Sequence, residues 1–237
     1  MAKIRLDKFI SDSTSYSRKD ASLIIKSGAV SVNGAVVKDT GYKVDKESDK
    51  VALKNEQIVH KDNYYIMMNK PAGYLSATED RYQKTVLELL DESIPKSKIF
   101  PAGRLDKDTE GFLFLTTDGP LAHRVTGPKN HVPKKYYVEV DGNIETKLIS
   151  AFKEGITLEN DEECKSADLE ILSEKTCYLT ITEGKFHQVK RMFKMFALNV
   201  VYLKRMSIGS LTLDESLKPG EYRELTGDEV LKICLKK

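Results

Sequence analysis

Near the start of the chain Leu6, Phe9 and Ile10 recur at helical spacing, and beyond a Ser/Thr-rich break at residues 11–17 so do Ala21, Leu23, Ile24 and Ile25. The pattern predicts two short helices, the second with Ser17 as its N-cap and Gly28 as its C-cap. The period then shortens. In Val30-Ser31-Val32-Asn33-Gly34-Ala35-Val36-Val37 an Asn-Gly pair divides two β-branched runs, the strongest short hairpin signal a sequence carries. Residues 51–53 offer a further strand. Residues 1–59 thus read as one small unit of two helices and a hairpin, with a modest core.

After a polar stretch at residues 54–63 the rhythm changes. Strands are expected over 64–68, 112–115, 136–140, 169–172, 177–181, 200–203, 211–213 and 222–225, and helices over 85–90, 144–152 and 186–196. Residues 69–73 and 101–111 read as polar loops, and Asp118-Gly119-Pro120 as a turn. Strands outnumber helices and do not alternate regularly with them. That pattern argues for an α+β fold with a mainly antiparallel sheet flanked by helices over residues 60–237, rather than a doubly wound one.

Composition excludes several classes. With 237 residues, 40% of them hydrophobic and 31% charged, the chain has material for a packed core, and no run approaches a membrane span. The first residues lack the apolar stretch of a signal peptide, so a soluble cytoplasmic protein, not bound to a membrane, is expected. Three scattered cysteines suit reduced thiols, and four scattered histidines give no zinc spacing, so no metal is expected.

The net charge of +2 conceals an uneven distribution: residues 1–60 carry 11 Lys and Arg against 8 Asp and Glu. Residues 184–206 hold Lys185, Lys190, Arg191, Lys194, Lys204 and Arg205 with no acid, whereas acid gathers at residues 159–163. Basic stretches on a balanced chain fit a polyanionic partner or ordinary solvated helix faces.

Arg104 and Asp106 lie two apart in a Gly-flanked loop between apolar runs, where side chains can be presented from an anchored backbone. A carboxylate there can be a nucleophile, a base or a turn-former. The whole string GRLDKDTEGFLFLTTDG, residues 103–119, closely resembles the catalytic motif of the RNA pseudouridine synthases of the small-subunit (RsuA) type. Three further strings follow in that family's order: NKPAGY at 69–74, KKYYV at 134–138 and EGKFHQVKRMF at 183–193. The closing segment IGSLTLDESLKPGEYRELT at 208–226 matches as well, and residues 5–53 resemble the small S-four-like (α-L) RNA-binding module. Phe112 and Phe114 stand where the family often has Leu, and Ala197-Leu198 replaces a more usual Val-Gly, which are changes of packing.

The resemblance implies a pseudouridine synthase fold behind an RNA-binding domain, and a reaction that needs no cofactor. It makes Asp106 the essential residue, Tyr136 the active-site tyrosine against the uracil, and Lys190 the cation that keeps Asp106 ionised. Asp106 would begin either by attacking the sugar or by removing a ribose proton, and sequence does not choose between them. Arg104 would fill the space left by an extruded nucleotide. Lys107, Arg191 and Lys194 would hold flanking phosphates, as would Arg5, Lys8, Arg18 and Lys19 in the first domain. His187 is read as a structural residue within its helix. The implied substrate is a uridine of 16S ribosomal RNA, within a small-subunit precursor particle. A 23S-directed relative and a non-catalytic assembly factor are the alternatives, and nothing demands more than a monomer.

Overall fold

Helices of eight or nine residues are marginal alone in water and persist by packing their apolar faces. In the computed structural model, which describes residues 3–127, 129–159 and 161–235, this happens in the first of two units, Met1–Tyr64 together with Leu90–Phe100. Its elements are β1 (Lys3–Arg5), α1 (Leu6–Ser13), α2 (Arg18–Lys26), β2 (Val30–Val32), β3 (Ala35–Val36), β4 (Lys43–Asp45), β5 (Val51–Leu53) and β6 (Glu56–Ile58). Leu6, Phe9 and Ile10 meet Ala21, Ile25, Val30, Val32, Val44 and Val51 in a single core. The Ser17 hydroxyl caps α2 by accepting from the Asp20 amide at 3.2 Å. The C-cap is Ser27 rather than Gly28, which follows it with φ +84° and reverses the chain. Asn33 (φ +52°) and Gly34 (φ +84°) form the tight turn joining β2 to β3, with Val32 opposite Ala35. Residues 90–100 are fastened to this unit by the Ser15 amide on the Glu92 carbonyl and by an ion pair between Lys98 and Asp12.

The second unit, Tyr65–Leu89 and Pro101–Lys237, is built on one mixed sheet. Its elements are β7 (Tyr65–Lys70), a 3-10 turn at Val86–Leu89, β8 (Phe100–Pro101) where the chain returns, β9 (Glu110–Thr116), α3 (Gly119–Thr126), β10 (Lys134–Val140), α4 (Lys147–Glu154), β11 (Thr157–Leu158), β12 (Glu162–Glu163), β13 (Asp168–Ile171), β14 (Thr176–Ile181), α5 (Gln188–Lys194), β15 (Val200–Ile208), β16 (Leu211–Thr212), β17 (Tyr222–Glu224) and α6 (Gly227–Lys232). The strand order is β13-β14-β10-β15-β9-β7-β17, antiparallel except where β15 runs parallel to β9. The neighbouring strands β7 and β9 are buried on both faces, Phe112, Leu113, Phe114 and Leu115 completely. Side chains of this size are each worth about 1.5–3 kcal/mol when buried. On the other side of β15, β10 alternates, with Lys134, Tyr136, Val138 and Val140 inward and Lys135, Tyr137 and Glu139 half-exposed. Phe152 of α4 packs on Phe193 of α5 with ring centroids 5.0 Å apart.

Several local expectations change. Asp118-Gly119-Pro120 starts α3: the Asp118 carboxylate caps it at the Leu121 amide (2.9 Å), and proline is accommodated in a first helical turn. Asn69 and Lys70 end a buried strand rather than lie in a loop, because their polar groups find carbonyl partners inside. The helix expected over 186–196 begins only at Gln188. Among the described residues, no helix is long and apolar enough to cross a membrane.

Candidate active site

The parallel join of β9 to β15 fixes where the Asp106 loop ends. Gly111 pairs with Arg205, has φ +98°, and would place a Cβ only 2.3 Å from the Arg205 carbonyl oxygen, so no other residue fits there without shifting backbone. The loop itself is held from beneath by the stretch after β7. The Lys70 ammonium donates to the carbonyls of Pro71 (3.0 Å), Lys107 (3.1 Å) and Thr109 (2.8 Å), and the Gly73 amide also donates to Lys107 (2.7 Å). Ser76 Oγ donates to the Leu105 carbonyl at 3.0 Å and accepts from the Leu105 amide at 3.1 Å. Burial pulls the Lys70 pKa down to about 8, against the pull of Asp108, Glu110 and Asp106. The NKPAGY string is therefore the cradle of the Asp106 loop.

Above this cradle lies a cleft with about 430 Å³ of empty space, part of it open to solvent. Arg104, Asp106, Thr109, Tyr136, His187 and Lys190 line it, with Ile181, Val189 and Leu203 as its apolar floor. Tyr136 is buried, delivered by the inward face of β10 opposite Arg205 of β15. The Asp106 carboxylate has one oxygen 3.6 Å from Lys190 Nζ and the other 3.6 Å from His187 Nε2. Lys190 makes its short contacts elsewhere, donating to both oxygens of Asp108 at 2.6 and 2.7 Å. Burial opposes the charged form of Asp108, but the Lys190 hydrogen bond and charge prevail and hold that carboxyl below its ordinary pKa. Lys190 thus stands between two carboxylates, of which the sequence reading names only Asp106.

The structure also corrects the place of His187. It is the N-cap of α5, not a residue within the helix, and its backbone is left-handed at φ +47°, ψ +33°. The neighbouring Gln188 folds back, accepting from the Lys185 amide (3.0 Å) and donating to Glu183 (2.9 Å), and Glu183 also accepts from the Lys165 amide (2.9 Å). This closed turn directs the His187 ring at Asp106.

The remaining cations fall into two groups. Arg104 and Lys107, on either side of Asp106, are exposed and make no side-chain hydrogen bond or ion pair among the described residues. Arg191 is instead paired with Glu162 (2.6 Å) and Lys194 with Glu159 (3.4 Å), while Lys185 contacts Glu162 at 3.4 Å. Glu159 and Glu162, remote in sequence, thus lie along the basic helix and neutralise much of it. In the first unit Arg5 (2.8 Å) and Arg18 (3.3 Å) converge on the buried carboxylate of Asp7, whereas Lys8 and Lys19 are exposed. Among the described residues no group of three or more His, Cys, Asp or Glu could hold a metal ion.

Comparison with known proteins gives a consistent picture. The pattern of the family described as RNA pseudouridylate synthase matches residues 64–195, and that of the S4 domain matches residues 4–51. Over 231 residues the chain is 48% identical to an uncharacterized RNA pseudouridine synthase of Bacillus subtilis (strain 168), covering 96% of this chain and 97% of that protein. It is 44% identical over 231 residues to the ribosomal small subunit pseudouridine synthase A of Vibrio cholerae serotype O1, covering 97% and 99%. The Escherichia coli (strain K12) protein of that name is 39% identical over 231 residues, covering 97% and 100%. A crystal structure of a pseudouridylate synthase, 40% identical, aligns with a TM-score of 0.70 over 97% of this chain and 99% of that one.

Proposed function

Since the chain belongs to the RNA pseudouridine synthase family and carries an S4 domain, we propose that it isomerises one uridine of 16S ribosomal RNA to pseudouridine, with Asp106 as the residue that starts the reaction. The observation that carries this reading is the cleft in which Asp106 lies between Lys190 and His187 against the wall supplied by Tyr136. The small-subunit target is carried over from relatives named for it that align along nearly their whole length.

The isomerisation breaks the bond from ribose C1′ to uracil N1, turns the base while it is held, and joins C1′ to C5. The C5 proton is lost and N1 gains one, so no group donor or redox partner is consumed. Attack on C1′ and abstraction of a ribose proton both require Asp106 as a carboxylate. Lys190 stands 3.6 Å from that carboxylate and is itself kept in place by Asp108. Tyr136 offers its ring to the uracil. A base within folded RNA must leave its stack to reach this cleft, and Arg104, exposed at the rim, is placed to fill the gap with its planar guanidinium.

The test is to incubate the protein and its Asp106→Asn variant with unmodified 16S and 23S RNA, free and in precursor particles, and to map pseudouridine by carbodiimide labelling and primer-extension stops. A stop in 16S made only by the unaltered protein is expected, with RNA affinity of the variant within about threefold, because the exchange hardly alters the surface offered to RNA. A stop in 23S would move the target. Turnover by the variant would remove Asp106 from its role, and tight binding without any stop would favour an assembly factor.

A further inference from the structure

Phe186 leaves 72% of its surface in water, in the turn that leads into α5. The turn does not need it: its hydrogen bonds come from Gln188, Glu183 and the Lys185 amide. The phenyl ring lies on the His187 imidazole, with centroids 3.8 Å apart and planes inclined by 19°, and that imidazole reaches to 3.6 Å from Asp106. A short stack of rings therefore runs outward from the reacting carboxylate and ends on a phenyl surface open to solvent. The cations on the same loop as Asp106, Arg104 and Lys107, are exposed and make no side-chain hydrogen bond or ion pair among the described residues.

We propose that Phe186 is a stacking platform for the nucleobase next to the uridine held in the cleft. An exposed ring stacked on His187, which lines the cleft together with the exposed Arg104, has the make-up of a single-stranded nucleic-acid site, where flat bases stack on aromatics while cations hold the backbone. It is too small for a protein interface, which needs a contiguous apolar patch. The phenyl ring also covers one face of the imidazole, so an occupied platform continues the wall that His187 gives the cleft. This inference rests on the assignment of the cleft to uridine isomerisation in RNA.

The chain contains no tryptophan, so Phe186→Trp introduces a single fluorophore at the platform. Turnover of 16S and 23S transcripts by the unaltered enzyme is measured first, and the shortest transcript modified becomes the probe. Saturating Phe186→Trp with that transcript is expected to quench its emission at least twofold, with binding followed independently by the anisotropy of end-labelled RNA. Phe186→Ala is expected to raise KM by about 5- to 150-fold, the loss typical of one stacked base, with kcat changed less than threefold and KM restored by Phe186→Tyr. Saturated binding and turnover with an unquenched tryptophan and an unchanged KM would overturn the platform while leaving the enzyme assignment in place. A tryptophan silent to naked RNA but shifted by the precursor particle would assign the ring to a ribosomal protein and overturn it too. Absence of turnover on every transcript and on the precursor particles would remove the cleft assignment and the platform with it.

Discussion

Lys134 is a charged residue in the place of an aliphatic one. It stands on the inward face of β10, donates to the carbonyls of Val132 (2.9 Å) and Val125 (3.4 Å), and so closes the last turn of α3. Burial, and then the nearby Arg205, lower its pKa from 10.5 to about 8. Between those two values the unfolded chain keeps a proton that the folded protein has released, so the lysine's contribution to stability grows as pH rises from about 8 and levels off near 10.5. Below pH 8 both states are protonated and the cost of burying the charge is constant. Lys134→Met removes this titration. Urea unfolding at pH 7, 8.5 and 10 is expected to show the wild type gaining on the variant by up to about 1.4 kcal/mol per pH unit above 8. A gap that stays level across this range would show that Lys134 does not titrate there.

At the scale of elements, Gly111 governs the meeting of β9 with β15. Gly111→Ala would combine a positive φ with a Cβ pressed on the Arg205 carbonyl, and is expected to cost more than about 2 kcal/mol in urea unfolding. Activity should fall as well, since the Asp106 loop exits through this glycine. The same join marks where sequence reading stops. The β7 and β9 cores, the Asn33-Gly34 turn and the Ser17 cap are written in adjacent residues, through period, turn chemistry and capping. The strings around Asp106, Tyr136 and Lys190 are equally local, and the fold brings those three residues to one cleft. What could not be read is pairing across distance: Asp108 with Lys190, His187 with Asp106, and the acidic β11–β12 turn along α5. The burial of Lys70 and Lys134 is not legible either, because their carbonyl partners come from the folded backbone. Asp118-Gly119-Pro120 carries turn and helix-start signals alike, and only the apolar face of α3 against the core decides between them.

Across the whole molecule, the cations free to meet RNA are fewer than the sequence suggests, because carboxylates occupy Arg5, Arg18, Arg191 and Lys194. In the first unit Lys8 and Lys19 are exposed and, unlike Arg5 and Arg18, hold no carboxylate among the described residues, and Lys8→Glu with Lys19→Glu is expected to weaken RNA binding and to lower the salt dependence by about 0.7–0.9 in log–log slope for each phosphate no longer neutralised. An unchanged slope would mean that other cations hold the phosphates. Replacing Arg5 or Arg18 would be a poorer probe, since it strips partners from the buried Asp7. The excursion of residues 90–100 back to the first unit has a consequence for synthesis. A chain emerging from its N-terminus cannot finish that unit until about residue 100 has appeared, and cannot seat the Asp106 loop until Arg205 arrives to pair with Gly111. Translation therefore completes the S4 unit about a hundred residues before the proposed active-site loop is seated, so a product released in that interval would carry the RNA-binding module without the cleft.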